Sequence, residues 1–123
     1  MIDGKGTIYE GRCLEFTGSY VGVTGEGEGD RRSPNFGAVG IVLFGHFSAV
    51  EPSSDQVEAL YGLLDGLSKR YGISPDCVIG HGELPKMLMA RGLSGTPTET
   101  VCPGEHLQAV VGRWRAGRRV TPR

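Results

Sequence analysis

Two short words in the second half of the sequence hold residue types from which a reactive centre can be made. Gly80-His81-Gly82-Glu83 sets an imidazole between two glycines, which open space around the ring. Thr100-Val101-Cys102-Pro103-Gly104 sets a thiol just ahead of a helix start, where the amide dipoles favour a thiolate. Together they could act as base and nucleophile, although no orienting Asn or Asp is evident beside them. Singly, each has a structural reading as well: a satisfied histidine and a buried apolar cysteine. The chain has 3 cysteines, Cys13, Cys77 and Cys102, so at least one is a free thiol, an apolar filler or a metal ligand.

The elements that must position these words can be read from local pattern. Asp3-Gly4-Lys5-Gly6 is a turn signal, and Thr7-Ile8-Tyr9-Glu10 has the character of a short strand, the second half of a hairpin whose first strand would precede Ile2. Ala38 to Phe44 is apolar at nearly every position and predicts a central strand covered on both faces. Ser53-Ser54-Asp55-Gln56 is a capping-box start, and Val57, Leu60, Leu64, Leu67 and Tyr71 follow at helical spacing up to Gly72, a natural C-cap. Asp76 to Gly80 predicts a short buried strand delivering His81 at its end. Lys86 to Gly92 reads as a short helical insertion burying its own methionines and leucine. Leu107, Val110, Val111 and Trp114 predict a second amphipathic helix. His46 reads as a loop residue, His106 as part of the solvated face of that last helix, and Tyr9 as a packing residue. The order predicts an α/β fold: a small mixed β-sheet flanked by helices, with a thin core.

The chain has 123 residues, enough for one domain, with 13 Lys plus Arg against 14 Asp plus Glu. That balance argues against a general nucleic-acid binder, because the one basic cluster, Arg113, Arg115, Arg118, Arg119 and Arg123, reads as a solvated C-terminal tail. No apolar run approaches the roughly 20 residues of a membrane span. Met1 to Gly6 has neither the basic start nor the apolar stretch of a secretion signal. Many of the 21 glycines fall between Gly18 and Gly37, which predicts a long exposed loop; without a Gly-Lys-Ser/Thr ending it is a poor phosphate cradle.

In their order along the chain, Asp3-Gly4 with Thr7-Ile8-Tyr9-Glu10-Gly11-Arg12, Gly40-Ile41-Val42-Leu43-Phe44-Gly45-His46-Phe47, the helix from Ser53 to Gly72, Val78-Ile79-Gly80-His81 and Thr100-Val101-Cys102-Pro103-Gly104 resemble one family. It is that of the zinc-dependent N-acetylmuramoyl-L-alanine amidases, which also holds the peptidoglycan recognition proteins and the phage T7 lysozyme-type amidases. The resemblance runs from about Ile2 to Trp114. It implies an amidase-like domain over residues 1–116 followed by a basic tail, 117–123. It also implies zinc as cofactor, with His81 and Cys102 matching two of the family's three metal ligands. Thr100 falls where family members carry a threonine or lysine that assists the tetrahedral intermediate. Three protein ligands leave a fourth position for water, whose pKa the metal lowers towards neutrality.

The departures are equally specific. The family's other histidine ligand and its active-site tyrosine match positions upstream of Met1, so the resemblance implies a domain with its first strands absent and a zinc site short of one ligand. Met1 stands where family members have an apolar strand residue, as an internal methionine of a longer frame or a natural truncation would. Gly18-Ser19-Tyr20 puts a tyrosine where the family often has a histidine. The implied function is hydrolysis of the N-acetylmuramoyl-L-alanine amide of peptidoglycan, with a non-catalytic muramyl-peptide-binding module as the alternative. The implied partner is peptidoglycan, and an uncovered sheet edge would promote self-association.

Overall fold

Ser53 opens the first helix, α1, Ser54–Tyr71, by the reciprocal capping that the sequence predicts. Its hydroxyl accepts the Gln56 amide at 3.1 Å, and its own amide donates to Gln56 Oε1 at 3.0 Å. Asp55 in the first turn and Lys69 and Arg70 in the last complement the helix dipole, and Gly72, left-handed at φ 64°, stops the helix by donating to Ser68. The computed structural model describes residues 1–14, 37–90 and 100–119, and the side chains of 88–90 and 119 are left aside. The predicted loop from Gly18 to Gly37 and Tyr20 thus lie almost wholly outside the described residues.

Two further helices follow, α2 at Leu84–Ala90 and α3 at Glu105–Arg119. The first takes in the predicted helical segment from Lys86 and begins two residues before it; Arg91 and Gly92 lie outside the described residues. The second extends the helix predicted around Leu107 to Trp114, whose four apolar positions are all buried. A core of Ile2, Phe47, Leu60, Leu64, Leu107, Val110 and Trp114 lies between α1 and α3. Trp114 is 2% exposed, and truncating so large a buried side chain costs about 3–5 kcal/mol. Its Nε1 donates to Asp65 at 2.9 Å, and the Tyr61 hydroxyl donates to the Val110 carbonyl at 3.1 Å, so polar bonds reinforce the same packing.

The expected mixed β-sheet is not formed among the described residues. Ile2 makes an isolated antiparallel bridge to Ile8 and an isolated parallel bridge to Leu43, and neither ladder lengthens into a strand. Ile2 donates to Val42 and accepts from Phe44, while Tyr9 donates to Met1. The residues are extended, but no run of paired neighbours builds on either side of Ile2. Ala38 to Phe44 is not a doubly covered central strand: Ile41 and Leu43 pack on the core, whereas Val42 and Phe44 are 56% and 54% exposed. Asp76 to Gly80 is not a strand either. Ser74 caps a 3-10 turn at Pro75–Cys77, with Pro75 fixing its first residue, and an extended link leads to Gly80.

Candidate functional site

His81 begins a second 3-10 turn, His81–Glu83, and is half-buried. The turn is held from its own sequence: Glu83, three residues after Gly80, takes the Gly80 amide on Oε1 at 2.9 Å. Thr100 and Cys102 are both exposed, and the Cys102 amide donates to Thr100 Oγ1 at 3.1 Å. The Cys102-Pro103 peptide is cis, and the Gly104 amide donates to the Val101 carbonyl at 2.7 Å, which folds Val101 to Gly104 into a tight turn. Gly104 has φ 89° and lies against the backbone of Phe47 and Ser48, where a Cβ would collide. From there α3 departs, its His106 amide donating to the Phe47 carbonyl at 3.0 Å.

The two predicted words meet through their backbones. A Cβ on Gly82 would stand 2.9 Å from the Cys102 carbonyl oxygen and 3.4 Å from that of Thr100, and one on Gly80 would stand 3.0 Å from Pro103 Cδ. At Gly82 the obstacle is main-chain oxygen, so a glycine is needed for this approach, which gives it a role beyond opening space around the His81 ring. Gly82, Glu83, Thr100, Cys102, Glu105 and Gln108 line a cavity of about 260 Å³ at the junction, and His81 flanks it through Gly82.

Sequence reasoning missed what fastens the junction. Arg115 Nη1 lies 2.8 and 2.9 Å from the two Glu83 oxygens and donates to the Val78 carbonyl at 3.2 Å. Gln108 Nε2 donates to Glu83 Oε1 at 2.5 Å. Burial opposes ionisation of Glu83 more than any single neighbour favours it. The hydrogen bond from Gly80, with those from Arg115 and Gln108 and the guanidinium charge, outweighs that opposition and holds the carboxyl below the usual glutamate range. A glutamate three residues after Gly80 at a turn start was the available signal.

Several sequence expectations are corrected. Cys102 is exposed, as are Cys13 and Cys77, so none is a buried filler. Arg115 and Arg118 are not part of a solvated tail: the first pairs with Glu83, and the second pairs with Asp65 and covers the Trp114 ring. His106 is half-buried on the wall of a groove of about 850 Å³ between α1 and α3, bordered also by Glu58, Tyr61 and Glu105. Tyr9 is half exposed and donates its hydroxyl to Asp3 at 3.0 Å. His46, by contrast, is the loop residue expected: it is exposed, and its carbonyl accepts from Ala49 and Val50.

The donor types of His81 and Cys102 suit zinc. Among the described residues, however, no group of three His, Cys, Asp or Glu side chains is arranged to hold a metal ion. These two donors do not by themselves make the three-ligand shell of a catalytic zinc site. Among the described residues no helix is long and apolar enough to cross a membrane.

The family model for N-acetylmuramoyl-L-alanine amidase matches residues 1–105, which take in both turns of the junction, and the chain belongs to that family. It is similar to peptidoglycan-recognition protein SD of Drosophila simulans and of Drosophila melanogaster, 29% identical to each over 114 residues, 93% of this chain and 50% of the relative. The chain therefore spans about half the length of these curated relatives. No solved structure matches it at comparable significance.

Proposed function

We propose that the chain is a peptidoglycan-directed domain that binds muramyl peptide, around the N-acetylmuramoyl-L-alanine linkage, in the cleft between the His81 turn and the Thr100 to Gly104 turn. The observation that carries the reading is the contact of Gly82 with the carbonyls of Thr100 and Cys102, within the stretch matched by the family. It brings a hydroxyl and a thiol to one small cavity, with the Glu83 carboxylate and the Gln108 amide on its wall and the His81 turn at its flank, the mixture that orients a polar ligand.

Hydrolysis of the same amide is the second reading, favoured by the adjacency of an imidazole-bearing turn and a thiol-bearing one. Zinc, when bound, would polarise the amide carbonyl, with His81 and Cys102 as two of its donors and a third donor needed from elsewhere. Thr100, its oxygen held by the Cys102 amide, would donate its hydroxyl hydrogen to the scissile carbonyl.

One experiment tests both readings: incubation with insoluble peptidoglycan, followed by sedimentation and assay of newly exposed L-alanine amino termini. Protein in the pellet without new termini supports recognition, and new termini support hydrolysis. Protein left in the supernatant with no new termini overturns the proposal.

A further inference from the structure

The cleft is built from two turns distant in sequence, and a single helix holds both. The Thr100 to Gly104 turn runs directly into the first turn of α3. The His81 turn reaches the same helix through Glu83, which takes hydrogen bonds from Gln108 near the start of α3 and from Arg115 about two turns further on. Arg115 also bonds the Val78 carbonyl, so it grips the chain on both sides of Gly80 and His81. Glu83 and Gln108 form part of the cavity wall, while the Arg115 side chain, 16% exposed, stands behind Glu83.

We infer that Arg115 is a positioning residue for the muramyl-peptide cleft, acting through Glu83 to fix the His81 turn against the Thr100 to Cys102 turn. This inference rests on the binding function proposed above. Its physical basis is that one charged nitrogen, Arg115 Nη1, meets both oxygens of a carboxylate and the Val78 carbonyl together, and that carboxylate also holds the Gly80 amide. Without Arg115, Glu83 keeps two neutral donors and loses its charged one, so the carboxylate is free to turn towards solvent. That change loosens the residues next to His81 while leaving the α1 and α3 packing in place.

The same helix supplies an internal control. Arg118 pairs with Asp65 of α1, one turn beyond Arg115 and outside the cavity wall. The test is calorimetric titration of a soluble muramyl peptide carrying the N-acetylmuramoyl-L-alanine amide into wild type, Arg115→Met, Arg115→Lys and Asp65→Asn, with thermal unfolding of each. Arg115→Met is expected to weaken binding about tenfold, the scale of one charged hydrogen bond. Arg115→Lys, which keeps the charge but ends in a shorter side chain whose ammonium need not reach the position of Nη1, should lose about threefold. Asp65→Asn should lower the melting temperature and leave affinity within about twofold. If Arg115→Met fails to fold, Arg115→Lys carries the test. Wild-type affinity in a folded Arg115 variant overturns the positioning role, and so does an equal loss in Asp65→Asn, which would mark a general stability effect. Absence of binding by the wild type is a different result and defeats the functional proposal itself.

Discussion

Gln56 and Phe44 are joined by a hydrogen bond of 2.8 Å, from the side-chain Nε2 to the main-chain carbonyl, although Gln56 is only 3% exposed. The other end of the same amide accepts from Ser53, so one buried side chain fastens the extended segment at Phe44 to the first turn of α1. Gln56→Leu preserves the bulk and leaves both main-chain groups without this partner. It should destabilise the fold by about 1–3 kcal/mol in urea denaturation; unchanged stability would show that the fastening is made elsewhere.

Gly82→Ala addresses the junction directly. The added methyl would meet the Cys102 carbonyl at 2.9 Å, and main-chain oxygen cannot swing aside as a flexible side chain can. The two turns must part by a fraction of an ångström, at a cost of about 1–3 kcal/mol. Binding of muramyl peptide is expected to fall further than stability does, and parallel calorimetric and denaturation measurements would separate the two effects.

Stability should respond to acid through Glu83. Its folded pKa is depressed, so its contribution is fully present above the unfolded value of about 4.3 and is lost as pH falls through the lower folded value. Melting temperatures measured from pH 7 down to 3 should therefore drop more steeply in wild type than in Glu83→Gln, with the curves converging in acid. Parallel curves would mean that the carboxylate contributes nothing to folding through its charge.

Cobalt offers a spectroscopic check on His81 and Cys102 as joint donors. A thiolate charge-transfer band should appear on titration with cobalt(II) and vanish in Cys102→Ser and in His81→Ala. With two donors instead of three, binding should also be weak enough for a modest excess of chelator to reverse it. A band that survives Cys102→Ser would assign the thiolate to Cys13 or Cys77.

The helices were legible in the sequence because the information that makes a helix is local. Ser53 and Gln56 cap each other three residues apart, and the apolar spacing of Leu60 and Leu64 or of Val110 and Trp114 needs no knowledge of the rest of the chain. The extended segments were not legible in this way. Ala38 to Phe44 has the composition of a buried strand, yet a strand exists only where a distant partner supplies its hydrogen bonds, and here Ile2 bridges it at Leu43 alone. The site was legible as two words and illegible as an assembly. Arg115 sits among other arginines, and nothing local distinguishes the one that pairs with Glu83 from those that face water.

The cross-links between α1 and α3 bear on how the chain folds. Tyr61 reaches Val110 across 49 residues, Trp114 reaches Asp65 across 49, and Arg118 reaches Asp65 across 53. Docking these helices closes a loop that contains both turns of the cleft, and the entropy of that closure is a cost the contacts between the helices must offset. Because closure entropy rises only logarithmically with length, doubling the loop costs only about 0.6 kcal/mol.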